Sequence, residues 1–271
     1  MVKVYSITSG KGGVGKTNIT ANLAVALSNL GQKVLILDAD IGLANIDIVF
    51  GIKPKYTIAD VISGEKKIRD VIVTGPQGVR IIPASSGVSE IFDLTTDQKV
   101  SLLNAIDELN EDIDVFLIDT GAGISTNVMY FNIAAQEIIV IVNKEPTSIT
   151  DGYALMKVMS EKYSVRKFNL LVNSVKTGEE ASKVYNAITS VTNRFLDISV
   201  EFFGYLPYDE NLQNAVLLRT PVVLAFPQSQ ASKMFNELAK KILKKDYTLN
   251  NKGNIQFFWQ KIIELSNQKS V

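Results

Sequence analysis

The sequence predicts a doubly wound α/β fold, with a mostly parallel sheet and helices on both of its faces. Short, nearly continuous apolar runs recur along the chain, and such runs are typical of strands that are buried on both faces of a parallel sheet. Stretches with apolar residues at helical spacing separate these runs, as right-handed β-α-β crossovers require. The 271 residues, 46% of them hydrophobic, are enough to bury the core of one large domain.

The predicted strands and helices alternate in chain order. Val2, Val4 and Ile7 mark the first strand, which ends at a glycine-rich segment. The later apolar runs predict strands over residues 34–37, 79–82, 115–118, 138–142, 170–172 and 200–206. Helical spacing predicts helices over residues 16–30, 96–110, 148–162, 179–195 and 228–244.

Composition excludes several kinds of chemistry. Acidic and basic residues number 28 each, so no overall field favours nucleic acid or a membrane, although seven lysines lie within residues 240–271. The chain has no cysteine, which excludes disulfides, iron–sulfur clusters and thiolate metal sites. It has no histidine either, so catalysis has to use lysine, carboxylates, hydroxyls, the backbone and a bound metal. No apolar run reaches transmembrane length and no signal peptide precedes the first strand, so we expect a cytoplasmic protein.

The glycine-rich segment after the first strand predicts a phosphate-binding loop. Residues 9–17 read Ser-Gly-Lys-Gly-Gly-Val-Gly-Lys-Thr and fit the pattern G-x-x-x-x-G-K-[ST]. Glycines let backbone N–H groups approach phosphate oxygens, while the helix N-terminus and Lys16 add positive charge. The predicted nucleotide-binding residues here are Gly12, Gly13, Val14, Gly15, Lys16, Thr17 and Asn18. A second lysine, Lys11, lies inside the loop, and the general pattern does not require it.

Aspartates at the ends of two predicted strands complete the predicted site. Asp38 and Asp40 follow the strand over 34–37, and Asp119 follows the strand over 115–118. Ligands of α/β sheets bind at this edge, so we expect Asp38 and Asp119, with the Thr17 hydroxyl, to hold Mg²⁺. Asp40 is placed to orient a water molecule. Gly121 and Gly123 suit a segment that changes conformation with the γ-phosphate. The alternative is that these aspartates cap turns or helices.

Taken together, residues 10–17, 38–47 and 119–123 resemble the deviant Walker A ATPases of the MinD/ParA family. The resemblance implies hydrolysis of ATP with Mg²⁺, and a homodimer that forms with ATP. It implies that Lys11 reaches the phosphates of the partner subunit, and that Lys16 and Asp40 act in catalysis, with Asp40 orienting the attacking water. It also implies adenine contacts from Asn173 and from the stretch Pro207, Tyr208 and Asp209.

Within that family, residues 78–87, 145–156 and 192–197 are similar to the flagellar number regulators of the FlhG/FleN type. This implies regulation of flagellar number or placement at the membrane. The implied partners are a partner GTPase, a C-ring component or a transcription activator. Because the chain starts at its first strand, we expect it to lack the N-terminal extension with which many members stimulate the GTPase.

The same phosphate-binding loop is compatible with three other functions. One is a MinD-type ATPase for division-site selection, and another is a ParA-type DNA-partitioning ATPase. The balanced charge argues against direct DNA binding, which we do not expect. The third is a metabolic enzyme, although no second-substrate motif supports it.

The C-terminal segment predicts an amphipathic helix. Its apolar residues at i, i+3, i+4, i+7 and i+8 are Ile255, Phe258, Trp259, Ile262 and Ile263. Aromatic residues with lysines nearby are typical of interfacial membrane helices, so we expect reversible binding at the inner face of the cytoplasmic membrane. The alternative is a helix docked on the body, and the resemblance implies that ATP-driven dimerisation releases it. We therefore divide the chain into an ATPase domain (1–244), a linker (245–253) and a C-terminal helix (254–268).

Overall fold

The computed structural model describes residues 2–40, 45–83, 112–245 and 255–267, with isolated positions 95, 98, 104, 105 and 109 between them. Its strands are β1 (Lys3–Ser9), β2 (Val34–Ala39), β3 (Val73–Thr74), β4 (Arg80–Pro83), β5 (Val115–Ala122), β6 (Glu137–Val142), β7 (Lys167–Val175) and β8 (Ser199–Pro207). They form one sheet in the order β3-β4-β2-β5-β1-β6-β7-β8.

The described helices lie on both faces of this sheet. They are α1 (Lys16–Asn29), α2 (Ile46–Phe50), α3 (Ile58–Ile62), α4 (Ile68–Val71), α5 (Thr126–Ala134), α6 (Pro146–Tyr163), α7 (Gly178–Phe195), α8 (Glu210–Leu217), α9 (Val222–Ala225), α10 (Gln230–Lys244) and α11 (Ile255–Asn267). A short 3₁₀ turn covers Pro76–Gly78.

The predicted fold class is confirmed. Every described strand pair is parallel except β3 with β4, which is antiparallel. Consecutive residues of the central strands point to opposite faces and are both buried, as Leu35 and Ile36 show. The continuous apolar runs of the sequence follow from this arrangement, because neither face of a central strand meets water.

Four of the five predicted helices agree with α1, α6, α7 and α10 within two residues at each end. The fifth, over 96–110, and the predicted linker lie almost wholly outside the described residues. The sequence did not predict α5, because nearly every residue from Val128 to Ala134 is buried and the helix has no polar face. The other short helices contain too few turns to show a period.

The C-terminal helix α11 is docked on the body rather than exposed. Ile255, Phe258, Trp259 and Ile262 are completely buried in the apolar cluster that α3, α4 and α5 share with one face of the sheet. The Phe258 ring stacks on Phe131 of α5, with 6.2 Å between the ring centroids. Of the two arrangements that the sequence left open, the structure has the docked one.

Among the described helices, none combines the length and the apolar composition that a membrane-spanning helix requires.

Candidate functional site

The loop between β1 and α1 has the backbone of an anion site. Gly13 and Gly15 have φ angles of +76° and +93°, in the left-handed region that favours glycine. A Cβ at Gly15 would also lie 2.8 Å from the Asn173 side-chain nitrogen. Gly15 is the N-cap of α1, and no side chain caps that helix within the described residues. The first N–H groups of α1 are therefore available to a phosphate.

Neighbouring elements hold this loop in place. Asn173, in β7, donates a hydrogen bond of 2.8 Å from its side-chain nitrogen to the Val14 carbonyl oxygen. On the other side, a Cβ at Gly10 would overlap the Asp151 carbonyl oxygen of α6. The loop is thus fixed between β1, α6 and β7, which is the rigidity that a preformed phosphate site needs.

Asp119 lies beneath the loop with one oxygen unused. It is completely buried, and Thr20 donates a hydrogen bond of 3.1 Å to its Oδ1 atom. Its Oδ2 atom is buried without a hydrogen-bond partner in the part of the chain that the structure describes. Burial raises the pKa of Asp119 to about 6, although the Thr17 hydroxyl and the Lys16 ammonium lower it in part.

Asp38 faces Asp119 across the neighbouring strands β2 and β5, where the two residues are register partners. Burial, and next the charge of Asp119, raise the pKa of Asp38 to about 8. Its two oxygens accept from the backbone N–H groups of Asp40 and Ile46, both at 3.4 Å. Two neighbouring buried carboxyl groups, both with raised pKa values, favour the binding of a cation between or beside them.

These residues fit a magnesium ion held jointly with a nucleotide. Among the described residues, no group of three or more acidic side chains forms a complete protein site for a metal. Mg²⁺ does not need one, because it keeps several waters and takes one or two carboxylates together with substrate phosphates. The unpartnered Oδ2 of Asp119, the Thr17 hydroxyl and Asp38 supply suitable oxygen atoms.

The predicted switch residues lie side by side. Asp40 is half-buried, and a Cβ on Gly121 would be 3.5 Å from its Oδ1 atom. Gly123 has a φ of +90°, and its N–H donates a hydrogen bond of 2.9 Å to the Ser9 carbonyl oxygen at the start of the phosphate loop. The ends of β2 and β5 and the start of the phosphate loop are therefore close neighbours.

Lys11 extends away from the loop onto the protein surface. Its ammonium donates hydrogen bonds to Glu145 Oε2 at 2.6 Å and to Thr147 Oγ1 at 3.1 Å, at the start of α6. The Lys11 side chain remains 31% exposed. Hydrogen bonding to Lys11 lowers the pKa of Glu145. The structure thus separates the two lysines of the loop, since Lys16 is buried and Lys11 faces outward.

A cavity of about 290 Å³ adjoins the loop, and the residues predicted to contact the base are among those that line it. Its lining includes Gly13, Val14, Gly15, Asn143, Asn173, Pro207, Tyr208 and Asp209. Sequence reasoning missed Asn143, although it follows the apolar run 138–142 just as Asn173 follows its own strand core. That position at a strand end was the signal that could have identified it.

Two of the predicted nucleotide contacts have other partners in the structure. The Asp209 carboxylate accepts hydrogen bonds of 2.9 Å from the N–H groups of Asn211 and Ala231, so it caps both α8 and α10. The Asn18 side-chain oxygen accepts from Asn22 at 2.6 Å within α1. A role for either side chain in nucleotide binding stays a prediction.

Comparisons with known proteins agree on the kind of site. A family model described as an AAA domain matches residues 2–172. The antiactivator FleN of Pseudomonas aeruginosa is 43% identical over 263 residues, which cover 97% of this chain and 94% of FleN. The flagellum site-determining protein YlxH of Helicobacter pylori is 32% identical, over 90% of this chain and 82% of YlxH. Among solved structures, the septum site-determining protein MinD of Pyrococcus horikoshii, complexed with Mg-ADP, is 29% identical with a TM-score of 0.70, over 90% of this chain and 97% of MinD.

Proposed function

This chain belongs to the MinD/ParA family of ATPases, and we propose that it acts as an ATP-driven dimerisation switch that regulates flagellar number or placement. The observation that carries the proposal is the position of Lys11, whose side chain leaves its own phosphate loop and pairs with Glu145 and Thr147 at the protein surface. A lysine held there is suited to a nucleotide on a second subunit rather than to its own.

The residues of one subunit would bind the nucleotide and its metal. The free N–H groups at the start of α1 and the Lys16 ammonium would hold the β- and γ-phosphates. Asp119 and Thr17, with Asp38 behind them, would hold Mg²⁺. Bound Mg²⁺ supplies positive charge to the phosphate oxygens during phosphoryl transfer. The cavity beside the loop, lined by Asn143 and Asn173, would take the base.

The partner subunit would supply the remaining positive charge. The Lys11 pair with Glu145 lies at the surface, where solvent screens the attraction and makes the ion pair weak. An interaction with phosphate across a dry interface is stronger, because the local dielectric constant is lower. The lysine would therefore leave Glu145 when a second subunit with ATP arrives. Asp40, beside Gly121, is positioned to orient the water that attacks the γ-phosphate.

Helix α5 offers a physical route from the site to the C-terminal helix. It begins at Thr126, directly after the segment that carries Gly121 and Gly123. Asn132 of α5 donates a hydrogen bond of 3.1 Å to Thr8 in β1, and its neighbour Phe131 stacks on Phe258 of α11. Movement of α5 with the nucleotide state would loosen the docking of α11. The released apolar stripe would then bind a membrane, with two copies per dimer increasing the affinity.

The flagellar role is supported by relatives whose names describe an antiactivator and a flagellum site-determining protein. We propose a transcription activator as the first partner to test, since an antiactivator acts against one. A partner GTPase and a C-ring component are the other candidates. Division-site selection is the second candidate function, because the MinD structure is similar over nearly its whole length.

Sedimentation of the Asp40→Ala variant tests the switch. This change should slow hydrolysis and keep the ATP state occupied, so the variant should sediment as a dimer with ATP and as a monomer with ADP. Adding liposomes should bring down the ATP sample alone. A monomer with both nucleotides, or equal liposome binding with both, would refute the proposed switch.

A further inference from the structure

Two lysines converge on one tyrosine on the surface near the N-terminal end of α3. The Lys66 ammonium lies 4.4 Å from the centre of the Tyr56 ring, and the Lys55 ammonium lies 5.0 Å from it. Ammonium groups are attracted to the face of an aromatic ring, so the ring holds two like charges close together. The interaction with Lys55, and next that with Lys66, lowers the pKa of the Tyr56 hydroxyl below its ordinary value.

This Lys55–Tyr56–Lys66 patch lies in a locally basic region of a chain with balanced charge. Within residues 53–70 there are five basic residues and three acidic ones. Two of the acidic side chains cap helices, since Asp60 accepts from the Thr57 N–H and Asp70 accepts from the Lys67 N–H. Among the described residues, no carboxylate forms an ion pair with Lys55 or Lys66. Residues 53–70 therefore keep a net charge of +2.

The patch is adjacent to the place where α11 docks. Helices α3 and α4 bury Ile58, Val61 and Ile68 in the same apolar cluster that receives Phe258 and Trp259. The Tyr56 ring is partly buried against that cluster. The Tyr56 ring and the buried stripe of α11 thus adjoin one shared apolar cluster, while Lys55 is exposed and Lys66 is partly exposed beside the ring.

We propose that Lys55, Tyr56 and Lys66 form a second membrane contact, which binds the anionic headgroups of phospholipids while α11 inserts its apolar stripe. The inference rests on the proposed release of α11 to a membrane. Stable membrane binding commonly needs two signals, an apolar anchor together with a basic patch. A tyrosine ring is also suited to the interface, because it has an apolar body and a polar tip.

The local character of the charge favours a lipid surface over nucleic acid. Binding to duplex DNA depends on many phosphate contacts along an extended basic face. Here the basic residues form one small group, and the chain as a whole has no excess of positive charge. A released apolar helix such as α11 also complements a basic patch at a membrane surface, whereas binding to DNA does not require an apolar helix.

The test compares two double variants of the full chain with ATP. Lys55→Gln with Lys66→Gln removes the patch, and Lys183→Gln with Lys233→Gln is the matched control, since both control lysines are exposed on other helices. Co-sedimentation is measured with vesicles of phosphatidylcholine that contain phosphatidylglycerol, and with vesicles of phosphatidylcholine alone. Each lysine near an anionic surface is worth roughly a fivefold change in affinity, so the patch variant should bind anionic vesicles about thirtyfold more weakly. The control should bind like the wild type, and the difference should vanish on neutral vesicles and in high salt.

Several outcomes would overturn the inference. If the two double variants lose vesicle binding equally, or if the patch variant loses binding to neutral vesicles to the same extent, the patch does not bind anionic headgroups specifically. If the patch variant keeps its vesicle binding but loses binding to duplex DNA, the partner of the patch is nucleic acid. If inorganic phosphate alone displaces the wild type from vesicles, the patch binds free phosphate rather than a lipid surface. If the wild type does not bind vesicles with ATP at all, the proposed release of α11 fails together with the inference. Wild-type binding with no effect of the patch refutes the inference alone.

Discussion

Replacing Phe258 by alanine should open the C-terminal helix without unfolding the rest of the protein. The Phe258 ring is completely buried between Phe131, at 6.2 Å, and Phe116, at 5.3 Å between ring centroids. Truncation of a buried phenylalanine costs about 3–5 kcal/mol, and its aromatic pairs are part of that cost. The covering helix α11 is short, so the cost should appear as local undocking of this helix.

Hydrogen exchange measures this opening directly. A loss of about 3–5 kcal/mol corresponds to exchange of the α11 amides that is faster by roughly two to four orders of magnitude, in the absence of nucleotide. Amides of the central strands, such as those of β1 and β5, should keep their wild-type protection. The change should also make α11 itself more sensitive to proteases.

The neighbouring residue provides a matched control. Phe257 lies on the same helix and is only partly buried, off the apolar stripe. Phe257→Ala should therefore change the exchange of α11 much less than Phe258→Ala. Equal acceleration in the two variants, or full protection of α11 in Phe258→Ala, would refute the docking of this helix through its stripe.

Three further predictions concern the nucleotide site. Gly15→Ala should abolish ATP binding in calorimetry, because the new Cβ would meet Asn173 and φ is +93°; retained affinity would show that the loop adapts. Asn173→Ala should weaken ATP binding roughly fivefold or more, because the hydrogen bond that it donates to the loop is worth about 1 kcal/mol. The control Asn186→Ala, on the surface of α7, should have no effect. Without nucleotide or Mg²⁺, burial raises the pKa of Asp38 to about 8 in the folded protein. The folded state then binds a proton more tightly than the unfolded chain does, so protonation of Asp38 stabilises the fold at low pH. This contribution is lost as the pH rises through about 8. The melting temperature of the wild type should therefore fall relative to Asp38→Asn between pH 5 and 8, and a constant difference would contradict the assignment.

The sequence alone predicted the local structure where a residue type at a given spacing has only one physical role. Gly15, Lys16 and Asp119 meet at the end of the sheet because a strand, a glycine turn and a helix follow one another in fixed order. The apolar stripe of α11 was also predicted residue by residue. In these cases the local sequence pattern is enough to predict where the residues lie.

Tertiary contacts account for what the sequence could not supply. No sequence pattern indicated that the Asp209 carboxylate caps α10, whose N-terminus is more than twenty residues further along the chain, and its predicted contact with the base stays a prediction. The pairing of Lys11 with Glu145 joins residues from separate elements, and no local pattern indicates it. The docking site of α11 depends on α5, a helix with no amphipathic signal because it is buried on all sides.

Light scattering of the Lys11→Ala variant tests the central proposal most directly. Lys11 extends away from its own loop, so the variant should bind ATP as tightly as the wild type but stay a monomer, whereas the wild type should dimerise with ATP. Lys144→Ala is the matched control, since Lys144 is an exposed lysine next to Glu145 and pairs with Glu180 at 3.4 Å. That control should still dimerise. An ATP-dependent Lys11→Ala dimer of wild-type mass and affinity would contradict the proposal that this lysine acts across a subunit interface.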